Sequence, residues 1–260
     1  MKSKSCCCSC GQTKETQSCV ENKEAIALFN SVWTELEKEP GREKLIFPKQ
    51  ILWLNGAPGA GKGTHTQFIL KHLGFSKAIV ISDLLTSPEA KKIKDSGGMV
   101  GDKEVMGLLF RALIAPDVSQ GTIVDGFPRT AIQVDCLKLL NEKLACLYNE
   151  FKDKNKAFSK PDFHILALFV DEAISVKRQI GRGLIAIENN KKIDATGKGV
   201  KEEIRKTDTD PEAAKHRYQV YMEMTHAPLQ TLRGVFPYHH LDASGTIPEV
   251  EEQVRKELKK

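Results

Sequence analysis

The feature that most restricts the fold is the stretch NGAPGAGKGTHTQ, residues 55–67. It directly follows the short apolar run QILWL, residues 50–54, and opens a segment of helical character that ends at Gly74. A buried strand that enters a glycine-rich turn and then a helix presents backbone N–H groups and a helix N-terminus to an anion. This context predicts a phosphate-binding loop between a strand and a helix.

The residues of this loop depart from the common pattern. The pattern G-x-x-x-x-G-K-[ST] is met from Gly56 to Lys62, but Gly63 occupies the hydroxyl position and the hydroxyl follows one place later at Thr64. Lys62 stands at the end of the loop, where its side chain can reach the outer phosphates of a nucleotide. We therefore predict a phosphate-binding loop of a particular kind rather than a chance cluster of glycines.

The same alternation of apolar runs and helical segments recurs along the chain. Short apolar runs indicate strands, and segments with apolar residues every three or four positions indicate helices. The predicted strands are Gln50–Leu54, Ala78–Ser82, Gly121–Asp125, His164–Val170 and Tyr238–Leu241. The predicted helices are Asn22–Glu39, Lys62–Leu73, Glu89–Lys94, Asp102–Ile114 and Thr130–Leu147. Such alternation predicts an α/β fold with a five-stranded parallel sheet and right-handed crossovers.

Two stretches interrupt this alternation. Residues 149–161, NEFKDKNKAFSKP, are rich in lysine, and we predict a loop there between a helix and a core strand. Residues 183–206 are polar, and we predict a long irregular insertion there. Insertions of this kind in compact domains are usually functional or disordered. The arginines that flank it favour a function: Arg178, Arg182, Arg205 and Arg217.

A second motif, DGFPRT, completes the predicted strand GTIVD and occupies residues 125–130. An aspartate at the carboxyl end of a strand beside the phosphate-binding strand can orient Mg²⁺ or its waters, and we predict that role for Asp125. Arg129 offers a planar guanidinium that can hold a phosphate through two parallel hydrogen bonds. We therefore expect both side chains at the phosphate site.

Together, GAPGAGKGT and DGFPRT resemble the adenylate kinase family of nucleoside monophosphate kinases. The resemblance spans about residues 50–254 and implies the three-layer fold of P-loop NTPases, with helices on both faces of a five-stranded parallel sheet. It also implies two small insertions, a segment that binds the nucleoside monophosphate at about residues 83–112 and a lid at about residues 178–217. The kinase domain then covers residues 46–254, after a cysteine-rich tail and an amphipathic helix in residues 1–45.

The resemblance further implies roles for individual residues. The residues implied to bind ATP are Gly59, Ala60, Gly61, Lys62, Gly63, Thr64 and Arg178. Those implied to bind AMP are Ser82, Val100, Gly126, Arg129 and Gln133, of which Gln133 would contact the adenine. The implied catalytic residues are Lys62, Arg129, Arg182, Arg205 and Arg217. Mg²⁺ would accompany ATP and be held by Asp125 through water.

The chain departs from the family pattern on the acceptor side. The family carries Thr-Gly-Asp-hydrophobic-Leu-Arg after its second strand, whereas residues 81–86 are ISDLLT. Thr86 therefore replaces the arginine that would hold the acceptor phosphate, a charge-assisted contact worth about 1.5–3 kcal/mol. The candidates to replace it are Lys91, Lys92 and Arg111. In the lid, either one residue is inserted between Arg205 and Arg217 or Lys206 replaces an arginine.

Three functions are consistent with these residues. The leading one is an adenylate kinase that catalyses ATP + AMP ⇌ 2 ADP, and Gln133 favours this function. The second is a UMP/CMP-type kinase of the same fold. The third is a nucleotide-binding regulatory protein that keeps the ATP site but has lost turnover, and Thr86 favours this function.

Charge and cysteine content narrow the partners and the compartment. The formal charge of +5 is a mild basic bias that indicates a lysine-rich surface, and we expect no nucleic-acid partner. No apolar run reaches the roughly 20 residues that cross a bilayer, and residues 1–23 lack the apolar segment of a secretory signal. Five of the seven cysteines lie within the first nineteen residues, where targeting or S-acylation stays open. We expect a cytoplasmic monomer.

Overall fold

The computed structural model describes residues 20–95 and 100–258. It contains the strands β1 (Gln50–Gly56), β2 (Ala78–Val80), β3 (Thr122–Asp125), β4 (Asp162–Phe169) and β5 (Tyr238–Asp242). They form one sheet in the order β2-β3-β1-β4-β5, and all of the neighbouring strands are parallel. The prediction of an α/β fold of the P-loop NTPase type, with a five-stranded parallel sheet, is confirmed.

Helices occupy most of the connections between these strands. They are α1 (Lys23–Lys38), α2 (Lys62–Leu73), α3 (Ile81–Leu84), α4 (Pro88–Asp95), α5 (Asp102–Leu113), α6 (Ala131–Phe151), α7 (Glu172–Thr196), α8 (Pro211–Tyr221), α9 (Ala227–Gln230) and α10 (Ile247–Glu257). A π-helical turn, Met222–His226, joins α8 to α9. Short 3₁₀ turns lie at Arg42–Lys44, Pro116–Val118, Lys206–Asp208 and Thr231–Gly234.

Alternate residues of the central strands contribute to two separate cores. On β1, Ile51 and Trp53 belong to one core, and Leu52 and Leu54 belong to the other. Successive side chains of a strand point to opposite faces, so a strand that is buried on both sides is apolar at nearly every position. The first core is completed by α1, α5 and α6, and the second by α2, α8 and α10. The sheet is therefore the middle layer of three.

The predicted element boundaries mostly agree with the structure. β1 continues to Gly56, two residues beyond its predicted end. The predicted strand Ala78–Ser82 is too long, because β2 ends at Val80 and the chain turns into the short helix α3. Ser82 therefore lies on a helical turn, at the point where β-favouring residues give way to Ser-Asp, which are poor strand formers.

The prediction of an irregular insertion at residues 183–206 is wrong over most of its length. α7 runs from Glu172 to Thr196 as one helix of 25 residues and ends at Gly197, which has a left-handed φ of 65°. The returning segment lies along the helix, because the Asn190 side chain donates to the Glu202 carbonyl and accepts from its N–H, both at 2.8 Å. Glu and Lys are good helix formers, so the polar composition reflects exposure rather than irregular backbone.

The predicted loop at residues 149–161 also begins later than expected, because α6 continues to Phe151. The cysteine-rich residues 1–19 and residues 96–99 of the predicted acceptor segment lie outside the described residues. Within the described ranges, no helix has the length and apolar character needed to span a membrane.

α1 packs across α5 and α6 through a cluster of aromatic side chains. Trp33 stacks on Phe29 and Phe47, with ring centroids 5.7 and 5.9 Å apart. It meets Phe110 of α5 edge-on at 6.0 Å, and its Nε1 donates to Glu37 at 2.6 Å. Two ion pairs at the rim connect this region to α5: Glu35 of α1 with Lys103, and Glu39, the residue after α1, with Arg111. The N-terminal helix is thereby part of the main core.

We expect Trp33→Ala to lower the free energy of unfolding by about 3–5 kcal/mol, because it leaves a cavity among three aromatic rings. Asn30→Ala is the matched control, since Asn30 is exposed on the same helix and its loss should stay within about 0.5 kcal/mol. Urea unfolding followed by circular dichroism measures both. A loss for Trp33→Ala no larger than that of the control would contradict this packing.

Candidate functional site

The glycine-rich loop lies at the carboxyl end of β1 and is shaped by its own backbone. Gly59 and Gly61 have φ values of 73° and 85°, in the left-handed region that glycine adopts most readily. The Ala60 N–H donates to the Ala57 carbonyl at 3.1 Å and closes a turn within the loop. α2 begins directly after Gly61, and the N–H groups of its first turn lack helical partners. These groups can receive an anion.

Lys62 reaches back across this loop. Its Nζ donates to the Gly56 carbonyl at 2.6 Å and to the Ala57 carbonyl at 3.2 Å. Burial lowers the pKa of Lys62 to about 8, while the Asp125 carboxylate acts in the opposite direction and Arg129 lowers the pKa further. The two carbonyl oxygens accept hydrogen bonds from the ammonium group but do not cancel its charge. An anion bound in the loop would therefore stabilise the charged form of Lys62.

The DGFPRT loop lies beside the phosphate loop because β3 is the parallel neighbour of β1. The Gly126 N–H donates to the Leu54 carbonyl at 2.9 Å. A second hydrogen bond joins the two loops, since Asn55 Nδ2 donates to the Pro128 carbonyl at 2.5 Å. At the end of β3, burial raises the pKa of Asp125, and the nearby cations Lys62 and Arg129 counteract part of this rise.

Arg129 is held on both its side chain and its backbone. Its Nε donates to the Gly126 carbonyl at 2.7 Å, and its own carbonyl accepts from Thr225 Oγ1 at 2.7 Å. Thr225 belongs to the π-helical turn Met222–His226, and such turns recur at functional sites. Burial lowers the pKa of Arg129, while Asp125 raises it and Arg205 lowers it. The guanidinium is therefore fixed in place with its charge only partly balanced.

Arg182 of α7 pairs with Asp208, whose side chain is almost fully buried while that of Arg182 is half exposed. Asp208 ends the 3₁₀ turn that packs against α7, and its backbone passes very close to Gly183. A Cβ at Gly183 would overlap the Asp208 carbonyl oxygen and lie 2.7 Å from its carbonyl carbon. The absence of a side chain at Gly183 thus allows the contact that positions Asp208 and, through it, Arg182.

Arg217 of α8 approaches the same region from the other side. It donates to Gln179 Oε1 at 3.3 Å and to Thr207 Oγ1 at 3.2 Å. Burial lowers the pKa of Arg217 to about 10, and Arg205 and Arg182 lower it as well. Arg182, Arg205 and Arg217 therefore lie close enough to repel one another.

These groups line one cavity of about 840 Å³ at the carboxyl ends of the central strands. This is the edge at which open parallel sheets bind ligands, and the volume suits a small molecule. The cavity brings together the predicted residues Gly59, Gly61, Lys62, Gly63, Thr64, Ser82, Asp125, Gly126, Arg129, Arg178, Arg182, Arg205 and Arg217.

Three predicted site residues are described but are not part of the cavity lining: Ala60, Val100 and Gln133. Ala60 is a buried residue of the phosphate loop, and Val100 is buried two residues before α5. The Gln133 amide is bound within the protein, because its Nε2 donates to Asp102 and its Oε1 accepts from the Arg129 N–H, both at 2.8 Å. The amide nitrogen keeps one further N–H donor, and the amide oxygen keeps one further acceptor lone pair.

Arg178 lines the cavity one helical turn before Arg182 and ties two loops together. Its guanidinium donates to the carbonyls of Ala243, Ser244 and Gly245 at 2.8, 3.1 and 3.1 Å. It also approaches the Gly59 carbonyl at 3.4 Å. The phosphate loop is thereby joined to the segment between β5 and α10.

The described candidates to replace the missing acceptor arginine lie outside the cavity lining. Thr86 itself is exposed. Arg111 donates to the carboxylate of Glu39, the residue after α1, at 2.6 Å, and it is not among the residues that line the cavity. Lys92 is exposed and lies outside the cavity lining, and the Lys91 side chain lies outside the described part of the chain. Neither Lys92 nor Arg111 lines the cavity, and a substitute for the missing arginine stays a prediction.

Comparison with known proteins agrees with this geometry. A family model described as an AAA domain matches residues 55–183, which include both loops and the start of α7. Adenylate kinases from the Coxiella burnetii strains RSA 331 / Henzerling II and RSA 493 / Nine Mile phase I are each 30% identical to this chain over 237 residues. The match covers 80% of this chain and 92% of each relative. The chain belongs to the adenylate kinase family.

In this adenylate kinase family member, several residues of the cavity lining are not among the site residues predicted from the sequence. They include Asn55, His65, Thr207, Tyr221, Thr225, Thr246 and Ile247. Thr246 had a local signal, because T-x-x-E after the last strand forms a capping box with Glu249 at the start of α10. Tyr221 and Thr225 had none, since the π-helical turn that directs them has no recognisable local pattern.

Asp125 fits the part of a magnesium-orienting carboxylate that the adenylate kinase family implies. Among the described residues, no cluster of three or more His, Cys, Asp or Glu side chains forms a complete metal site. Mg²⁺ usually binds through one or two carboxylates together with substrate phosphates and retained waters. A single carboxylate at the wall of a cation-lined cavity provides that arrangement.

Gly183→Ala should lower the kcat of phosphoryl transfer by about 100-fold. The new methyl group displaces Asp208 and, with it, the paired Arg182. Gly181→Ala is the matched control on the same helix, since a Cβ there meets nothing within 4 Å. The control should leave kcat unchanged and stabilise α7 by about 0.5–1 kcal/mol. Steady-state kinetics and thermal unfolding measure the pair. Equal kcat values for the two variants would contradict the proposed contact.

Proposed function

We propose that this family member is an adenylate kinase that transfers the γ-phosphoryl group of ATP to AMP, ATP + AMP ⇌ 2 ADP. One observation supports it above the others: five arginines and one lysine line a single cavity, namely Arg129, Arg178, Arg182, Arg205, Arg217 and Lys62. Such a concentration of cations suits the simultaneous binding of two phosphorylated nucleotides. Phosphate groups that repel each other can approach only when positive charge surrounds both.

Most of this positive charge is not matched by negative charge. Asp125 is the one carboxylate among the described residues that line the cavity. Lys62 and Arg129 donate to backbone carbonyls, which hold them in place and leave their charges available. Repulsion among close, poorly solvated cations lowers their pKa values, as it does for Arg217. Bound phosphates would reverse this effect, so the site favours ligands with several negative charges.

The phosphate loop forms the donor side in this proposal. The N–H groups of Gly59, Gly61, Lys62, Gly63 and Thr64 would surround the ATP phosphates. Lys62 would hold an outer phosphate oxygen, and Arg178 would border the donor where it ties the β5–α10 segment to the loop. Asp125 would hold Mg²⁺ through water, and the ion, when bound with ATP, neutralises charge on the phosphates.

The transfer itself depends on positioning and charge neutralisation more than on covalent chemistry. Arg129 would hold the phosphoryl group between donor and acceptor, because its backbone and side chain are both fixed. Arg182, Arg205 and Arg217 would approach that group from the opposite side, on the proposed lid of residues 178–217. Closure of this lid would exclude water and so favour transfer over hydrolysis of ATP.

AMP is the proposed acceptor, bound by the segment at about residues 83–112 and its neighbours. Ser82 and Gly126 line the cavity, whereas Val100 and Gln133 are buried and are not part of its lining. Gln133 keeps one donor and one acceptor position, which match the hydrogen-bonding edge of adenine. With Thr86 in the arginine position, the acceptor phosphate would rest on Arg129, Arg205 and Arg217. A cytoplasmic monomer remains our expectation.

Purified protein with ATP·Mg²⁺ should form ADP from AMP with a kcat/KM at least about ten-fold higher than with CMP, UMP or GMP. The reason is that hydrogen bonds to a base edge discriminate strongly between acceptors. Coupled assays with each monophosphate in turn measure the rates. Product from UMP or CMP but not AMP would identify a pyrimidine-directed kinase instead. Binding of ATP with no product from any acceptor would identify a regulatory protein.

Lys62→Ala and Arg129→Ala should each lower kcat by at least about 10³-fold, because each removes a cation that stabilises the transferring phosphoryl group. Lys177→Ala serves as the control, since Lys177 is an exposed cation on α7 beside Arg178. Circular dichroism should show the same fold for all three variants. A rate within ten-fold of the control for either of the first two would remove that residue from the mechanism.

A further inference from the structure

His65 lies in the wall of the donor side, although nothing in the motifs directs attention to it. It is the fourth residue of α2, is 3% exposed, and is part of the cavity lining. Side chains of a helix lean toward its N-terminus, so the imidazole lies over the first turn. Its Nε2 and Cδ2 would each lie 3.2 Å from a Cβ built on Gly61. The ring therefore packs against the glycine of the phosphate loop itself.

The hydrogen bonding of this imidazole is incomplete. Its Nδ1 is buried and has no hydrogen-bond partner within residues 20–95 and 100–258. Buried polar atoms nearly always have partners, and leaving one without a partner costs about 1–3 kcal/mol. A histidine with a purely structural role is expected to look like His72 on the same helix, whose Nε2 lies 3.0 Å from the Leu258 carbonyl.

The surroundings of His65 disfavour the charged form of its imidazole. Burial lowers the pKa of His65, and the Arg178 guanidinium of α7 lowers it as well. Glu251 of α10 acts in the opposite direction. An imidazole in this setting gains a proton when negative charge is placed beside it, because an anion favours the charged form.

We propose that His65 is a further donor-site residue, whose imidazole contacts the phosphate end of the bound donor nucleotide and is protonated there. This inference rests on the proposed function in one respect, that the phosphate loop binds the donor. The position of the ring against Gly61 places it beside the N–H groups that would hold the phosphates. If His65 gains a proton only when the nucleotide binds, the bound phosphates meet one more cation. The free protein does not then carry that extra charge among cations that already repel one another.

Proton uptake on ATP binding tests this proposal directly. Titration calorimetry with ATP and excess Mg²⁺, without acceptor, is run at pH 6.5 in two buffers of different ionisation enthalpy. The wild type should take up about half a proton or more per ATP, and His65→Gln should take up correspondingly less. His72→Gln is the matched control on α2 and should behave like the wild type, because His72 is not among the described cavity residues.

The affinity for ATP should follow the same linkage. Because burial lowers the pKa of free His65 and a bound phosphate would raise it, the advantage of the wild type is present at low pH and is lost as the pH rises through the pKa of the bound form. We expect His65→Gln to weaken ATP binding several-fold at pH 6 and to match the wild type at pH 8, since one pKa unit between free and bound states corresponds to about ten-fold at the low-pH limit. His72→Gln should match the wild type at both pH values.

Two results would overturn the proposal: equal proton uptake by wild type and His65→Gln, or equal ATP affinity of the two at pH 6. If His65→Gln fails to fold, proton NMR titration of the wild-type histidines decides instead. One imidazole should then titrate at higher pH with ATP than without it, and seven unchanged titrations would refute the role. The proposed kinase function fails separately, when ATP binds with proton uptake but no acceptor yields a diphosphate.

Discussion

The site depends on cations that are held in place by neutral backbone oxygens. Lys62 donates to carbonyls of its own loop, Arg129 to the Gly126 carbonyl, and Arg178 to carbonyls after β5. A carbonyl fixes the direction of an N–H bond but does not cancel the charge, as a carboxylate would. The free protein therefore keeps a set of positioned, weakly compensated charges. Its affinity for phosphate arises from backbone geometry as much as from the number of basic residues.

That geometry is set by the sheet. β1 and β3 are parallel neighbours, so the phosphate loop and the DGFPRT loop leave the sheet at the same edge. Asn55 and the Gly126 N–H then bond one loop to the other. Two cores, one on each face, hold the strands in register, and α1 belongs to one of them.

α7 carries two of the arginines that line the cavity. Arg178 and Arg182 lie one turn apart on a single helix, the first bound to the β5–α10 segment and the second paired with Asp208. The resemblance to the adenylate kinase family implied both arginines, but polar composition suggested an irregular segment where the structure has a helix. Composition reports exposure, and an exposed helix that packs on one side only through residues such as Gly183 and Ala186 has no clear apolar stripe.

The order of residues alone was sufficient for the phosphate loop, the DGFPRT loop and the parallel sheet, because local backbone preferences and the alternation of strands and helices indicate them. The family followed from the resemblance of the two motifs. The order of residues was not sufficient for His65, Thr225 and the engaged amide of Gln133. Their surroundings come from α10, from a π-helical turn, and from Asp102, all distant in the chain. Only the packed tertiary structure decides such contacts, because burial and the approach of distant charges determine which polar groups are bound within the protein and which remain for a ligand.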